Sequence, residues 1–190
     1  PEQFMYSMLT RSQRISHENL RLRDKAWLEG YEQWFARQQQ AVPPMFTPYT
    51  LRSVTLKNRV VVSPMAQYSA EDGLPGDYHL VHLGARAMGG AGLVFVEMTC
   101  VSPDARITPA CPGLWNDAQT KAWQSIVDWV HTNSDAKIAI QLGHAGPKGS
   151  TNAPWAHDGA DRPLPSGNWP LVAPSAQPYL DEGAVPKTLS

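Results

Sequence analysis

From residue 45 onward, short apolar runs rich in β-branched residues alternate with amphipathic stretches. Val60-Val61-Val62 leads into Ser63-Pro64-Met65, Gly92 to Val101 is almost continuously apolar, and Lys137 to Leu142 is a third such run. Runs without clean apolar/polar alternation mark strands buried on both faces. Between them, helical spacing sets Leu80, Leu83 and Ala87 on one face of Asp77 to Met88, and Trp123, Ile126, Val127 and Val130 on one face of Asp117 to His131. The order β-α-β-α-β predicts an α/β fold with a parallel sheet and right-handed crossovers. Gly89-Gly90-Ala91-Gly92 closes a helix and precedes a strand, the reverse of a dinucleotide fingerprint. It therefore reads as a helix C-cap and tight turn.

Residues 17 to 40 are of another kind. Trp27, Tyr31, Trp34 and Phe35 recur at i, i+4, i+7 and i+8, which predicts an amphipathic helix with Asp24 as a plausible N-cap. Pro43 and Pro44 end it near Gln40 and mark a boundary, giving a helical segment over 1–42 and an α/β region over 45–190. A lone helix cannot bury four aromatic rings, so this one is expected to dock on the following domain, an upstream domain or a second subunit. Past Gly146 periodicity is lost, and eight of the 17 prolines fall between Pro147 and Pro186. A long loop is expected there, following a buried strand, where α/β proteins place ligand sites. Three βα units cannot close an eight-stranded barrel, so the fold reads as cut off, and the start at Pro1 suggests an excerpt or processed product.

Composition narrows the partners. With 16 Lys+Arg against 17 Asp+Glu the net charge is -1, and no run of five like charges occurs, which argues against nucleic acid or an anionic membrane as partner. Cys100 and Cys111 supply neither a disulfide framework nor a zinc knuckle, and with no neighbouring base in sequence they read as inert thiols of a cytoplasmic protein. No apolar stretch is long enough to span a bilayer, and no export signal is visible near Arg11 and Arg14.

A parallel α/β fold builds its site at the C-terminal ends of its strands. Those ends read Ser63-Pro64-Met65-Ala66-Gln67-Tyr68, Glu97-Met98-Thr99-Cys100, and Gln141-Leu142-Gly143-His144-Ala145-Gly146-Pro147-Lys148. Amide, hydroxyl, carboxylate and imidazole groups without a dense acid or histidine cluster suit a large neutral heteroaromatic, such as a flavin, better than a metal. His79, His82 and Arg86 share a helix face but lack a third ligand, so structural roles are favoured. His144 reads as packing behind the site, and His157-Asp158-Gly159-Ala160-Asp161 as a polar turn without calcium-loop spacing.

The same residues carry a resemblance. Leu56-Lys57-Asn58-Arg59-Val60, then Ser63-Pro64-Met65 with Tyr68, Gly89-Gly90-Ala91-Gly92-Leu93 with Glu97, Arg106-Ile107, Trp115, and Gln141-Leu142-Gly143-His144-Ala145-Gly146 together resemble the opening of an old yellow enzyme. The resemblance implies the N-terminal part of an FMN-dependent (β/α)8 TIM barrel, about three βα units, preceded by a helical linker. It also implies hydride transfer from NAD(P)H through FMN to an activated alkene. Arg14 to Asp24 resembles a junction in larger fusions of the salicylyl-CoA 5-hydroxylase and 2-aminobenzoyl-CoA monooxygenase/reductase group. That implies an upstream FAD monooxygenase domain and a small-molecule substrate such as an aryl-CoA thioester.

By the same resemblance, Ser63, Pro64, Met65 and Ala66 together with Met98 line the isoalloxazine ring. The Gln141 amide bonds its pyrimidine edge, and Tyr68 points its phenol at the substrate. Taken alone, Gln141 also reads as a strand-end residue satisfied by backbone, and Tyr68 as an ordinary packed tyrosine. Relatives often carry Cys or Thr where this chain has Ala66, which puts the redox potential and substrate preference in question. Pro147 replaces a position commonly basic, leaving Lys148 available. No catalytic acid is expected within these residues, so the chain alone is expected to be incompetent. A second reading is a structural or interaction fragment completed by a complementing chain or a homo-oligomer. A metal-assisted hydrolase is weaker for want of a His-carboxylate cluster.

Overall fold

The computed structural model describes residues 24–38, 43–156 and 159–189. The chain divides into two compact units, residues 1–59 and 60–190. In the first, helix α1 spans Lys25–Gln38, and a 3-10 turn over Pro44–Phe46 precedes an antiparallel hairpin of β1 (Tyr49–Leu51) and β2 (Val54–Leu56). Asp24 caps α1 as expected: its Oδ1 accepts the Trp27 N–H at 2.9 Å. Trp27 and Tyr31 stack at 5.2 Å, one turn apart. The aromatic stripe is not uniformly buried, however. Leu28 is enclosed, while Trp34 remains half exposed. The start of the expected helix, its end near Gln40, and the Arg14 to Arg23 junction lie outside the described residues. The hairpin is a feature that hydrophobic periodicity does not predict, since three-residue strands are too short to display a period.

The second unit carries the α/β pattern. Its strands are β3 (Val61–Val62), β4 (Leu93–Cys100) and β5 (Lys137–Gly143), parallel in the order β3-β4-β5, with α2 (Asp77–Met88) and α3 (Asp117–Asn133) as crossovers. Two complete βα units and the strand of a third are thus present among the described residues. One layer of core lies between sheet and helices: Val94 and Val96 of β4 pack with Leu83 and Ala87 of α2 and with Trp123, Ile126 and Val130 of α3. Burial along α3 falls on Gln119, Trp123, Ile126 and Val130, the i, i+4, i+7, i+11 face of a helix docked by one side. Asn116 starts α3 by accepting the Gln119 N–H at 2.9 Å.

The glycine cluster is the helix stop that its position predicts. Gly90 sits at φ +102°, the Gly90 N–H bonds Ala87 O at 3.2 Å, and the Ala91 N–H reaches back to Arg86 O at 3.4 Å. This is the paired 5→2 and 6→1 arrangement of a Schellman cap, in which glycine tolerates the left-handed residue. Beyond β5 the chain is less shapeless than expected. A 3-10 turn over Gly146–Lys148 follows, Thr151 bridges Pro163, and β6 (Val172–Ala173) pairs in parallel with β7 (Lys187–Thr188). Elements of two residues leave no periodic trace among eight prolines, so the expectation of unbroken loop is corrected here.

Candidate functional site

Because β3, β4 and β5 are parallel, their C-terminal ends share one rim. Ser63, Pro64, Met65 and Ala66 leave β3 as a largely exposed strip of main chain, with only Pro64 half-buried. Met98 and Gln141 are direct register partners across β4 and β5. Met98 is half-buried, and Gln141 is exposed, its side-chain amide without a hydrogen-bond partner among the described residues. Tyr68 is half-buried at φ +47°, a strained conformation for a bulky residue. It borders, with Met98, the buried cluster of Cys100, Ala105 and Cys111. Its ring meets Trp155 of the long loop edge-on at 5.7 Å. Burial raises the Tyr68 phenol above its ordinary value, and the neighbouring Cys111 adds to this.

The strip is tied to the sheet by a buried carboxylate. Register shifts between Val96, opposite Ile140, and Met98, opposite Gln141, leaving Glu97 as the extra residue of a bulge. Glu97 Oε2 accepts the main-chain N–H of Gln67 at 2.8 Å, and Oε1 lies 3.1 Å from Nε2 of His79 on α2. His79 Nδ1 accepts the Gly76 N–H at 3.2 Å, so the ring proton sits on Nε2 and is donated to Glu97. Gln67 is held on its other sides as well. Its Nε2 donates to Met65 O at 2.8 Å, and its Oε1 accepts from Tyr78 Oη at 2.8 Å. His79 therefore has the structural role favoured from sequence, and its partner is Glu97, eighteen residues away. The signal available for this pairing was a lone acid in an apolar strand, which needs a buried donor.

Cys100 and Cys111 are both buried and lie in one cluster with Ala105. The Thr108 N–H approaches Cys111 Sγ at 3.4 Å, and the Thr108 hydroxyl lies 3.8 Å from it. The neighbouring Cys100 thiol first, and then the Thr108 groups, lower Cys111 to about 7, while the Cys111 neighbour and burial push Cys100 up. His144 is exposed rather than packed behind the site, with Nδ1 accepting the Gly146 N–H at 2.9 Å. Lys148 is committed rather than available, since it pairs with Asp161 at 2.9 Å. That pair holds the long loop, and the hydrogen bond raises the Lys148 pKa. The Arg106 guanidinium lies over the Trp169 ring at 4.8 Å and the Trp115 ring at 5.9 Å, pinning the same loop to the turn after β4. His157 and Asp158, two of the five residues of the polar turn, are outside the described residues. Among the described residues no three His, Cys, Asp or Glu side chains come together as a metal site. No helix among them is long and apolar enough to cross a membrane.

Residues 44–182 match the family model described as NADH:flavin oxidoreductase / NADH oxidase family. An NADH:flavin oxidoreductase of Gibberella zeae is 46% identical over 134 residues, 70% of this chain and 32% of that protein. An NADPH dehydrogenase of Bacillus cytotoxicus is 40% identical over 148 residues, 77% of this chain and 38% of that protein. Among solved structures, morphinone reductase superposes with a TM-score of 0.62 at 32% identity, over 78% of this chain and 40% of its own. An old yellow enzyme homologue from Zymomonas mobilis gives 0.61 at 28% identity, over 78% and 40%. The chain thus spans about a third to two fifths of the length of the curated relatives it matches.

Proposed function

Because this chain belongs to the NADH:flavin oxidoreductase / NADH oxidase family, we propose that its rim of strand ends forms one side of an FMN site in an NAD(P)H-dependent oxidoreductase. The fold is the N-terminal part of the TIM barrel of the old yellow enzymes. Turnover is assigned to the complete barrel rather than to these residues by themselves, given the share of the relatives that they span.

The observation that carries the reading is the Met98–Gln141 pair at the rim, with the Gln141 amide exposed and without a partner among the described residues. An amide offers a donor and an acceptor side by side, matching the alternating polar edge of a flavin pyrimidine. The exposed main chain of Ser63 to Ala66 and the half-buried Met98 thioether supply the flat, mostly apolar wall that an isoalloxazine ring needs. The donor set therefore fits the group. When bound, FMN supplies two-electron hydride chemistry between a nicotinamide and the substrate. The chain's own work is to bind and orient. Gln141 fixes the ring edge, Ser63 to Ala66 and Met98 support its plane, and the Tyr68 phenol faces the substrate. The phenol is protonated at neutral pH, as any tyrosine is, and burial raises it further, so it is able to donate. Ala66 adds neither hydroxyl nor thiol to the ring.

The substrate class proposed is an activated alkene or a dearomatised aryl-CoA thioester, handled in the cytoplasm. The 1–42 segment is proposed as the tail of an upstream FAD monooxygenase domain. Among the described residues β5 pairs only with β4, and Leu142 on it is exposed, which supports completion of the sheet by further strands of the same or a complementing chain.

The test is an absorbance spectrum of the purified protein with released flavin identified by chromatography, repeated on Gln141→Ala. FMN retention in the parent, and binding weaker by about tenfold in the variant, is the scale of one lost hydrogen bond. Equal retention by Gln141→Ala removes the assignment of Gln141, and absence of FMN from the complete protein removes the reading.

A further inference from the structure

Glu97 is 4% exposed in a strand whose other enclosed side chains are valine, threonine and cysteine. Burying a carboxylate is expensive unless both oxygens are satisfied. Here neither partner is a cation: one is a main-chain amide and the other a neutral imidazole whose proton position is dictated by Gly76. An apolar residue would suit the core at this point better, so the acid is explained by where it reaches. The bulge takes Glu97 out of register with β5, and its Oε2 spans thirty residues of sequence to meet Gln67, directly after the strip that leaves β3. His79, itself 2% exposed, holds the other oxygen and so fixes the direction of the carboxylate.

We propose that Glu97 is a positioning residue for the flavin: its carboxylate clamps the main chain at Gln67 and thereby holds the Ser63 to Ala66 strip in the shape that meets the ring. This rests on the FMN reading above. The geometry also states why the residue must be an acid. Both facing groups are donors, so the side chain must accept at both ends. A glutamine presents one donor. Either it faces the Gln67 N–H and breaks the clamp, or it faces His79 and forces the imidazole to the other tautomer, which breaks the bond from Gly76. Tyr78 and the Gln67 side chain reinforce the same segment from α2 and from within the strip, which leaves Glu97 as its anchor to the sheet.

The experiment compares Glu97→Gln with the parent in the complete protein by two readouts. The first is hydrogen exchange of the Gln67 amide in the flavin-free form. The second is the FMN dissociation constant from quenching of flavin fluorescence. Ile126→Val, a core change on α3, serves as the control for general loss of stability. Expected are exchange at Gln67 faster by about tenfold or more and FMN binding weaker by a similar factor, the scale of one charge-assisted hydrogen bond, with the control unmoved in both. Should Glu97→Gln fail to fold, Glu97→Asp keeps the charge on a stem one methylene shorter and is expected to show the same two effects. Unchanged exchange at Gln67 in both Glu97→Gln and Glu97→Asp overturns the clamp. Faster exchange with unchanged FMN binding overturns the positioning role while the FMN site stands. Equal weakening by Ile126→Val overturns it too. A parent that binds no FMN overturns the site itself, and this inference with it.

Discussion

Met98 lies directly over the α-carbon of Gly143: a β-carbon at that position would stand 2.6 Å from Met98 Cγ and 2.9 Å from its Sδ. The rim thus depends on a residue without a side chain on β5 to seat a flexible thioether from β4. Gly143→Ala should displace Met98 and cost about 1–3 kcal/mol of stability by overpacking. Combined with Met98→Ala, the cost should shrink, giving a favourable coupling of more than about 0.5 kcal/mol in a double-mutant cycle read from urea midpoints. Additive costs would show that the two residues do not compete for the same space.

Trp123 is the largest enclosed side chain on α3, and its Nε1 donates to Gly113 O at 3.0 Å, joining the helix layer to the turn after β4. Trp123→Ala should cost about 3–5 kcal/mol in thermal or chemical unfolding. A loss below about 1 kcal/mol would mean that the core does not rest on this contact.

Cys100 and Cys111 should titrate as a pair. The Cys100 thiol is the first cause holding Cys111 near about 7, so Cys100→Ala should raise the Cys111 pKa, seen as a thiolate ultraviolet absorbance step moved to higher pH. For Cys111 itself, a folded pKa below the unfolded one contributes stability present above about pH 9 and lost as pH falls through about 7. A step that does not move in Cys100→Ala would remove the Cys100 thiol as its cause.

His82 on α2 is half-buried, and burial together with the nearby Arg86 lowers its pKa below the ordinary 6.5. Folding then favours the neutral ring. The contribution is fully present above pH 6.5 and is lost as pH falls through the depressed folded value. Urea unfolding at pH 7.5 and 5 should show lower stability in acid, and His82→Gln should lessen that difference. An identical drop in the variant would place the acid sensitivity elsewhere.

Much of this arrangement was legible from residue order. The helix over Asp77–Met88 and the runs feeding β4 and β5 follow from periodicity, because each must bury one face or two. The Gly89-Gly90 stop and the Asp24 cap are local chemistry, settled within a few residues. The hairpin over Tyr49 to Leu56 and the β6–β7 pair were not legible, since their strands are too short to carry a period.

The sequence by itself determined the class of fold, the direction of the sheet, and which three strand ends supply the rim, because these depend on spacing and on the right-handed crossover. It also carried the family resemblance through Ser63-Pro64-Met65 with Tyr68, Gly89 to Leu93 with Glu97, and Gln141 to Gly146. Only the tertiary structure decided how those residues are held. The bulge at Glu97, its reach to Gln67 and to His79, the packing of Cys100 beside Cys111 and the commitment of Lys148 to Asp161 all join residues more than ten positions apart in the chain. The physical reason is that such contacts depend on distance and donor geometry in space, to which local spacing is blind.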